Sequence, residues 1–169
     1  FQHYQPPEIH QMNGGFRIQA PLNEKVPVMV FLHLFSGLRR HQDLEYWLQK
    51  LGADRGIRAI VANLDLAYGS DLDDQEVVDQ WRGRARDGFV TNGHNGAPCA
   101  TWSVVRFLPG GPPPLRTRDF PWGIPGLSKQ NQQKVDQHSR LLRNSLNILR
   151  EVAIAGGGVT NEHPKDRGR

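Results

Sequence analysis

From residue 26 onward the chain alternates two kinds of apolar pattern. Val26 to Phe35 (VPVMVFLHLF) is a continuous apolar run containing β-branched residues, the pattern of a strand covered on both faces of a parallel sheet. Leu44, Trp47, Leu48 and Leu51 then recur at i, i+3, i+4 and i+7, which predicts a short amphipathic helix ending at Gly52. Ile57 to Leu66 reads as a second strand that closes on Asp65. Asp73-x-x-Glu76 resembles a helix N-cap with its reciprocal carboxylate, and Val77, Val78, Trp81 and Ala85 give that helix an apolar side. Phe89 to Thr91 predicts a short third strand running into the glycine-flanked loop Gly93 to Cys99. Ser128 caps a long helix in which Val135, Leu142, Leu146, Leu149 and Val152 keep helical spacing. Gly156-Gly157-Gly158 stops it, and Val159 to Glu162 is a brief last strand.

Such alternation predicts an α/β domain over residues 26–164, with a mostly parallel sheet and right-handed crossovers. Residues 1–25 are polar and aperiodic and read as an extended arm with one short strand around Phe16 to Gln19; residues 165–169 form a tail. Residues 109–126 hold ten Pro or Gly in eighteen positions and read as an irregular loop. In open sheets of this class ligands sit at the carboxyl ends of the strands. Four stretches qualify here: the residues after Phe35, Asp65, the Gly93 to Ser103 loop, and Glu162 to Pro164. They are also the chemically richest stretches of the chain.

Composition narrows the function classes. One cysteine in 169 residues excludes an intramolecular disulfide framework and a cysteine-rich zinc site, and no His, Cys or Glu spacing suggests a metal. No apolar run approaches the ~20 residues that span a bilayer, so no membrane partner is expected. The chain starts on Phe1 without a signal-peptide pattern and reads as a piece of a longer product. Its net charge of +4 and pI near 9.6 permit a polyanionic partner without demanding one.

The loop Gly96-Ala97-Pro98-Cys99-Ala100-Thr101-Trp102-Ser103 places the only cysteine after a proline at a strand end, at the start of a helical turn. Helix amides favour the thiolate there, and a thiolate can serve as a covalent nucleophile; the alternative is a small buried hydrophobe.

Phe35-Ser36-Gly37, Asp65, Gly96-x-Pro98-Cys99-x-x-Trp102-Ser103 and Glu162-His163-Pro164, in that order, resemble the DNA cytosine-5 methyltransferases, most nearly divergent segments of algal mobile-element polyproteins. The resemblance runs from about Val28 to Pro164. It implies a Rossmann-like methyltransferase sheet, incomplete on its C-terminal side, and S-adenosylmethionine as cofactor. It implies a cofactor site at Phe35, Ser36, Gly37, Asp65, Asp71 and Pro98, with Asp65 toward the ribose hydroxyls and Asp71 toward the adenine amino group. It also implies Cys99 as the nucleophile at C6 of a flipped cytosine and Glu162 as the acid at N3 and the exocyclic amine. Arg116 and Arg118, in the loop after the nucleophile, fall where the family touches the nucleic-acid backbone; Arg is well suited to phosphate. The partner implied is nucleic acid, DNA before RNA, and a DNA role implies the nucleus, although no basic localisation cluster is present.

The chain departs from the family pattern at three places. His33 stands where the family has an acid, Arg39-Arg40 replace a glycine pair, and His163 follows Glu162 in place of Asn. Arg39 and Arg40 favour an alternative, a catalytically inactive nucleic-acid-binding or structural segment of such a polyprotein, whereas Pro98-Cys99 and Glu162 favour the methyltransferase. Simpler roles also stand beside each assignment: Asp65 as a turn residue, Asp71 as a helix cap, Glu162 as a solvated loop residue, Trp102 as packing and His94 as surface.

Overall fold

The computed structural model describes residues 26–163 and, ahead of them, the backbone of two short strands, β1 (His10–Met12) and β2 (Gly15–Arg17). These pair antiparallel, with Met12 opposite Gly15. The strand expected around Phe16 to Gln19 is thus met at Gly15–Arg17. The remainder of the 1–25 arm, Pro164 and the 165–169 tail lie outside the described residues.

The domain runs β3 (Val28–Leu34), α1 (Leu44–Asp54), β4 (Arg58–Leu64), α2 (Gln75–Arg86), β5 (Asn92–Asn95), α3 (Lys129–Ile154) and β6 (Gly158–Asn161). The four strands β3 to β6 form one sheet in the order β4-β3-β5-β6, every pair parallel. The chain therefore has the expected α/β architecture with a parallel sheet. It leaves β3 toward β4 and later returns to the other side of β3, so a topological switch point lies between β3 and β5.

One face of the sheet carries the core. Leu32, Leu34, Ala62 and Leu64 pack against Val78, Trp81 and Ala85 of α2 and Ile148, Leu149 and Val152 of α3. Glu151 of α3 binds Arg82 and Arg86 of α2 across this layer. The opposite face is covered less fully: Phe31 and His33 are half-buried, so β3 does not have the two closed faces its apolar run predicts.

Several local expectations are corrected by packing. Gly52 does not end α1; it lies inside the helix, where a Cβ would stand 2.8 Å from the Ile57 carbonyl and 3.2 Å from Ala59 Cβ. The missing side chain lets α1 approach β4, while Trp47 and Leu51 of the apolar stripe remain exposed. The left-handed glycine after the helix is Gly56, at φ +65°. Asp74, not Asp73, caps α2 by accepting from the Glu76 amide. Asp73 instead takes a two-pronged bond from Arg140 of α3 (2.9 and 3.0 Å), which ties the segment before α2 to α3.

The third strand lies at Asn92–Asn95, past the Phe89 to Thr91 segment. Asn-Gly-His-Asn has little intrinsic strand preference, and its position between β3 and β6 overrides that preference. Gly93 is the reason α3 can lie so close, because a Cβ there would sit 2.5 Å from Leu149 Cδ2. Ser128 caps α3 as expected, accepting from the Asn131 amide. The buried line of α3 runs through Val135, Ser139, Ser145, Ile148, Leu149 and Val152, leaving Leu146 exposed.

Candidate functional site

The turn after β3 is built with strain. Phe35 donates its amide to the Leu64 carbonyl (2.7 Å) and adopts φ +57°, which is costly for a side chain of its size. Gly37 follows at φ +66°, and its amide donates to Asp65 Oδ2 (3.0 Å). The other carboxylate oxygen of Asp65 accepts from the Ala67 amide (2.9 Å) and caps a 3-10 turn over Leu66–Tyr68. Asp65 therefore ties the tip of β4 to the turn after β3. Ser36 is half-buried and its hydroxyl donates to the Gly37 carbonyl (3.2 Å).

The two arginines of this turn differ. Arg39 is bound by Asp43 (2.6 Å) and Glu45, and its amide donates to the Tyr68 hydroxyl (2.9 Å). Against the effect of burial, the Tyr46 and Arg40 amides and the Arg39 guanidinium hold the Asp43 carboxyl below its ordinary range. Arg40 is exposed, its Nη2 3.8 Å from the place a Cβ on Gly37 would occupy. Asp71 is exposed and uses Oδ1 to accept from the Asp73 amide (2.8 Å).

β5 leads into the cysteine loop. The Gly96 amide donates to the Leu34 carbonyl (3.1 Å), which seats the loop against the β3 turn. Pro98 is half-buried and the Cys99 thiol is exposed, so the small-hydrophobe alternative does not hold. The Cys99 carbonyl accepts from the Trp102 amide (2.9 Å) in a single turn. Helical structure begins only at Val104, capped by Ser103, so Cys99 is not at the head of a helix.

Arg116 is where expectation and structure differ most. It is 4% exposed, and its guanidinium donates to Thr101 Oγ1 (3.1 Å), the Pro121 carbonyl (2.6 Å), the Val135 carbonyl (2.7 Å) and Ser139 Oγ (3.0 Å). Its fork is used inside the protein and is not offered to a phosphate outside. Burial lowers it to about 10, which leaves it charged at neutral pH. The guanidinium covers the Trp102 ring, and His138 of α3 stacks near the same ring at 6.3 Å between centroids. Burial first, then the neighbouring Lys134, Arg116 and Arg106, lower the His138 pKa. Arg118 is exposed.

The tip of β6 brings in the last segment. Glu162 donates its amide to the Asn95 carbonyl (2.8 Å), and its side chain is 77% exposed, with Oε1 3.6 Å from His94 Nε2. His94 is not a surface residue: its side chain is 17% exposed, and Nδ1 lies 2.8 Å from Thr160 Oγ1. The strand register sets Asn63, His33, His94 and Thr160 in one row across the sheet. Glu45 of α1 takes the Asn63 amide (2.6 Å), and the two imidazoles stand 5.4 Å apart. Burial, then His94, lower the His33 pKa. The sequence hid this row because His94 falls in a strand that composition does not announce. Asn95, fully buried at the end of β5, donates to Asn161 Oδ1 (2.6 Å), while its own Oδ1 is buried without a hydrogen-bond partner.

All four stretches thus end on one edge of the sheet. Gly37 bonds to Asp65, Gly96 to the end of β3, and Trp102 meets His163 edge to face at 5.5 Å, joining the cysteine loop to the residues after β6. No family model, curated protein or solved structure matches this chain. Among the described residues no group of three or more His, Cys, Asp or Glu is placed to hold a metal ion, and no helix is long and apolar enough to cross a membrane.

Proposed function

We propose that the carboxyl edge of this sheet serves S-adenosylmethionine-dependent methyl transfer to C5 of cytosine in nucleic acid, DNA before RNA, as part of a longer polypeptide. The observation that carries the reading is the meeting of the four motif segments on that edge, through Gly37 with Asp65 and Trp102 with His163.

The residues present fit the cofactor. Each oxygen of Asp65 takes one backbone amide and keeps an acceptor site for a ribose hydroxyl. Asp71 keeps its second oxygen for the adenine amino group. Gly37 leaves room for close approach, and Pro98 is half-buried in the loop that Gly96 seats against the end of β3. Arg39 is drawn off the turn by Asp43 and Glu45, and Arg40 brings a cation suited to a carboxylate. When bound, S-adenosylmethionine supplies an electrophilic methyl group.

The chemistry of the chain's own residues follows. The Cys99 thiolate adds to C6 of a flipped cytosine, forming a C–S bond as the C5–C6 π pair shifts to C5. Glu162 donates a proton to hydrogen-bond N3 and accepts from the exocyclic amine, which stabilises the charge on the ring. Once C5 carries the methyl group, a solvent water takes the C5 proton, the C–H electron pair re-forms the C5–C6 double bond, and the C–S bond breaks to release the Cys99 thiolate.

A second reading, a catalytically silent nucleic-acid-binding or structural segment of a mobile-element polyprotein, is favoured by Arg39 and Arg40 standing in the turn where the resembled family has a glycine pair. Calorimetric titration with S-adenosylhomocysteine separates the two: heat of binding is expected, and silence at millimolar ligand leaves only the second. Trapping on 5-fluorocytosine DNA then tests the nucleophile, and an adduct that survives Cys99→Ser removes Cys99 from the role.

A further inference from the structure

We propose that the turn over residues 117–122, with Arg143 beside it, is a stacking surface for unpaired bases of a single-stranded nucleic acid. The proposal rests on the nucleic-acid partner of the reading above and not on its cofactor. Phe120 is 46% and Trp122 61% exposed, a pair of aromatic rings left uncovered within three residues. They are not on a loose loop. Thr117 and Phe120 exchange backbone hydrogen bonds (3.3 and 3.2 Å), and the Gly123 amide donates to the Phe120 carbonyl (3.2 Å). The Ile124 amide donates to the Leu115 carbonyl (3.1 Å), and Arg116 clamps the Pro121 carbonyl. A ring held by a fixed turn loses little freedom when a base stacks on it.

Cations lie among the rings. Arg118 is exposed in the same turn, and the Arg143 guanidinium stands 5.9 Å from the Trp122 ring centroid. Neither has a carboxylate partner among the described residues. Between residues 104 and 143 the chain has seven Lys or Arg against two Asp or Glu; with Arg116 buried and Arg140 paired to Asp73, five cations remain against two acids. Exposed aromatic faces interleaved with arginines suit bases and phosphates together. Bases inside a duplex have no free face to stack, so the occupant is a single strand. A protein partner uses similar aromatic residues but has no general need of this charge excess. Arg116 also holds Thr101 and Trp102, so one guanidinium joins the stacking surface to the Cys99 turn.

Fluorescence anisotropy with a short labelled oligodeoxynucleotide, its RNA equivalent and the matching duplex tests the proposal without cofactor. Single strands are expected to bind more tightly than the duplex. Trp122→Ala should weaken binding about tenfold while Trp122→Phe retains most of it. Arg118→Gln should weaken binding a few-fold and lower the salt slope by about one. Thermal melts of Trp122→Ala matching the parent show that the loss belongs to the surface. Equal or tighter binding to the duplex, no binding to any of the three, or an unaffected Trp122→Ala overturns it. Preference for RNA over DNA upholds the surface, and a silent S-adenosylhomocysteine titration counts against methyl transfer alone.

Discussion

The guanidinium carbon of Arg116 lies 3.7 Å from the centroid of the Trp102 ring. Its remaining faces are taken by Thr101, Ser139 and two backbone carbonyls, so a cation without a salt bridge is satisfied by neutral acceptors and a π face. Arg116→Met should therefore destabilise the protein by about 3 kcal/mol, because Thr101 Oγ1, Ser139 Oγ and two backbone carbonyls lose a charged donor. Arg116→Lys should recover little, since an ammonium cannot reproduce the planar fork. Urea unfolding midpoints check both. A Lys variant as stable as the parent would show that the fork geometry is irrelevant.

Gly93 and Leu149 set the spacing between β5 and α3. Gly93→Ala places its new carbon against Leu149 Cδ2 and should cost about 1–3 kcal/mol. Leu149→Val in the same chain should return part of that loss, making the pair less than additive. Denaturant titration of the two single variants and the double variant gives the coupling directly.

Asp65 serves two amides with two oxygens, and Asn can serve only one of them as an acceptor. Asp65→Asn should lose about 1 kcal/mol of stability, as for a lost cap. Under the methyl-transfer reading it should also weaken S-adenosylhomocysteine, as seen by calorimetry. Unchanged affinity would take the carboxylate out of the cofactor site.

Acid sensitivity should come partly from His33 and His138, both held below their ordinary pKa. The unfolded chain takes up these protons near pH 6.5, whereas the folded protein takes them up only at lower pH. As pH falls through that window the unfolded state binds more protons, and stability declines. The decline between pH 7.5 and pH 5 should be shallower for His138→Gln, and shallower again with His33→Gln. Parallel pH profiles for parent and double variant would assign the decline elsewhere.

The fold class was legible because Val28–Leu34 and Arg58–Leu64 are apolar enough to announce buried strands, and the long helix carries an unmistakable cap at Ser128. The strand Asn92–Asn95 was not legible, because its place is decided by neighbours it meets only after folding. The candidate site divides the same way. Asp65 and Gly37 could be read from their positions after strands, but their hydrogen bond could not. Arg116 was expected at a phosphate because the resemblance sets it in the loop after the nucleophile, and the sequence says nothing of what surrounds it there. His94 was read as surface for want of a recognised strand beneath it, and the row with His33 and Thr160 emerges only from register.

Every strand pairing in the main sheet is parallel, so none can form as a local hairpin. Thr91 bonds to Val30 across 61 positions of chain, and His94 to Thr160 across 66. Contacts this distant in sequence make for slow, collective folding. The tips of the four strands come into proximity only when the crossovers between them are complete. A partly folded chain thus has half of no site at all: proteolysis or heat that frees α3 should abolish every contact between the cysteine turn and the residues after β6 in one step.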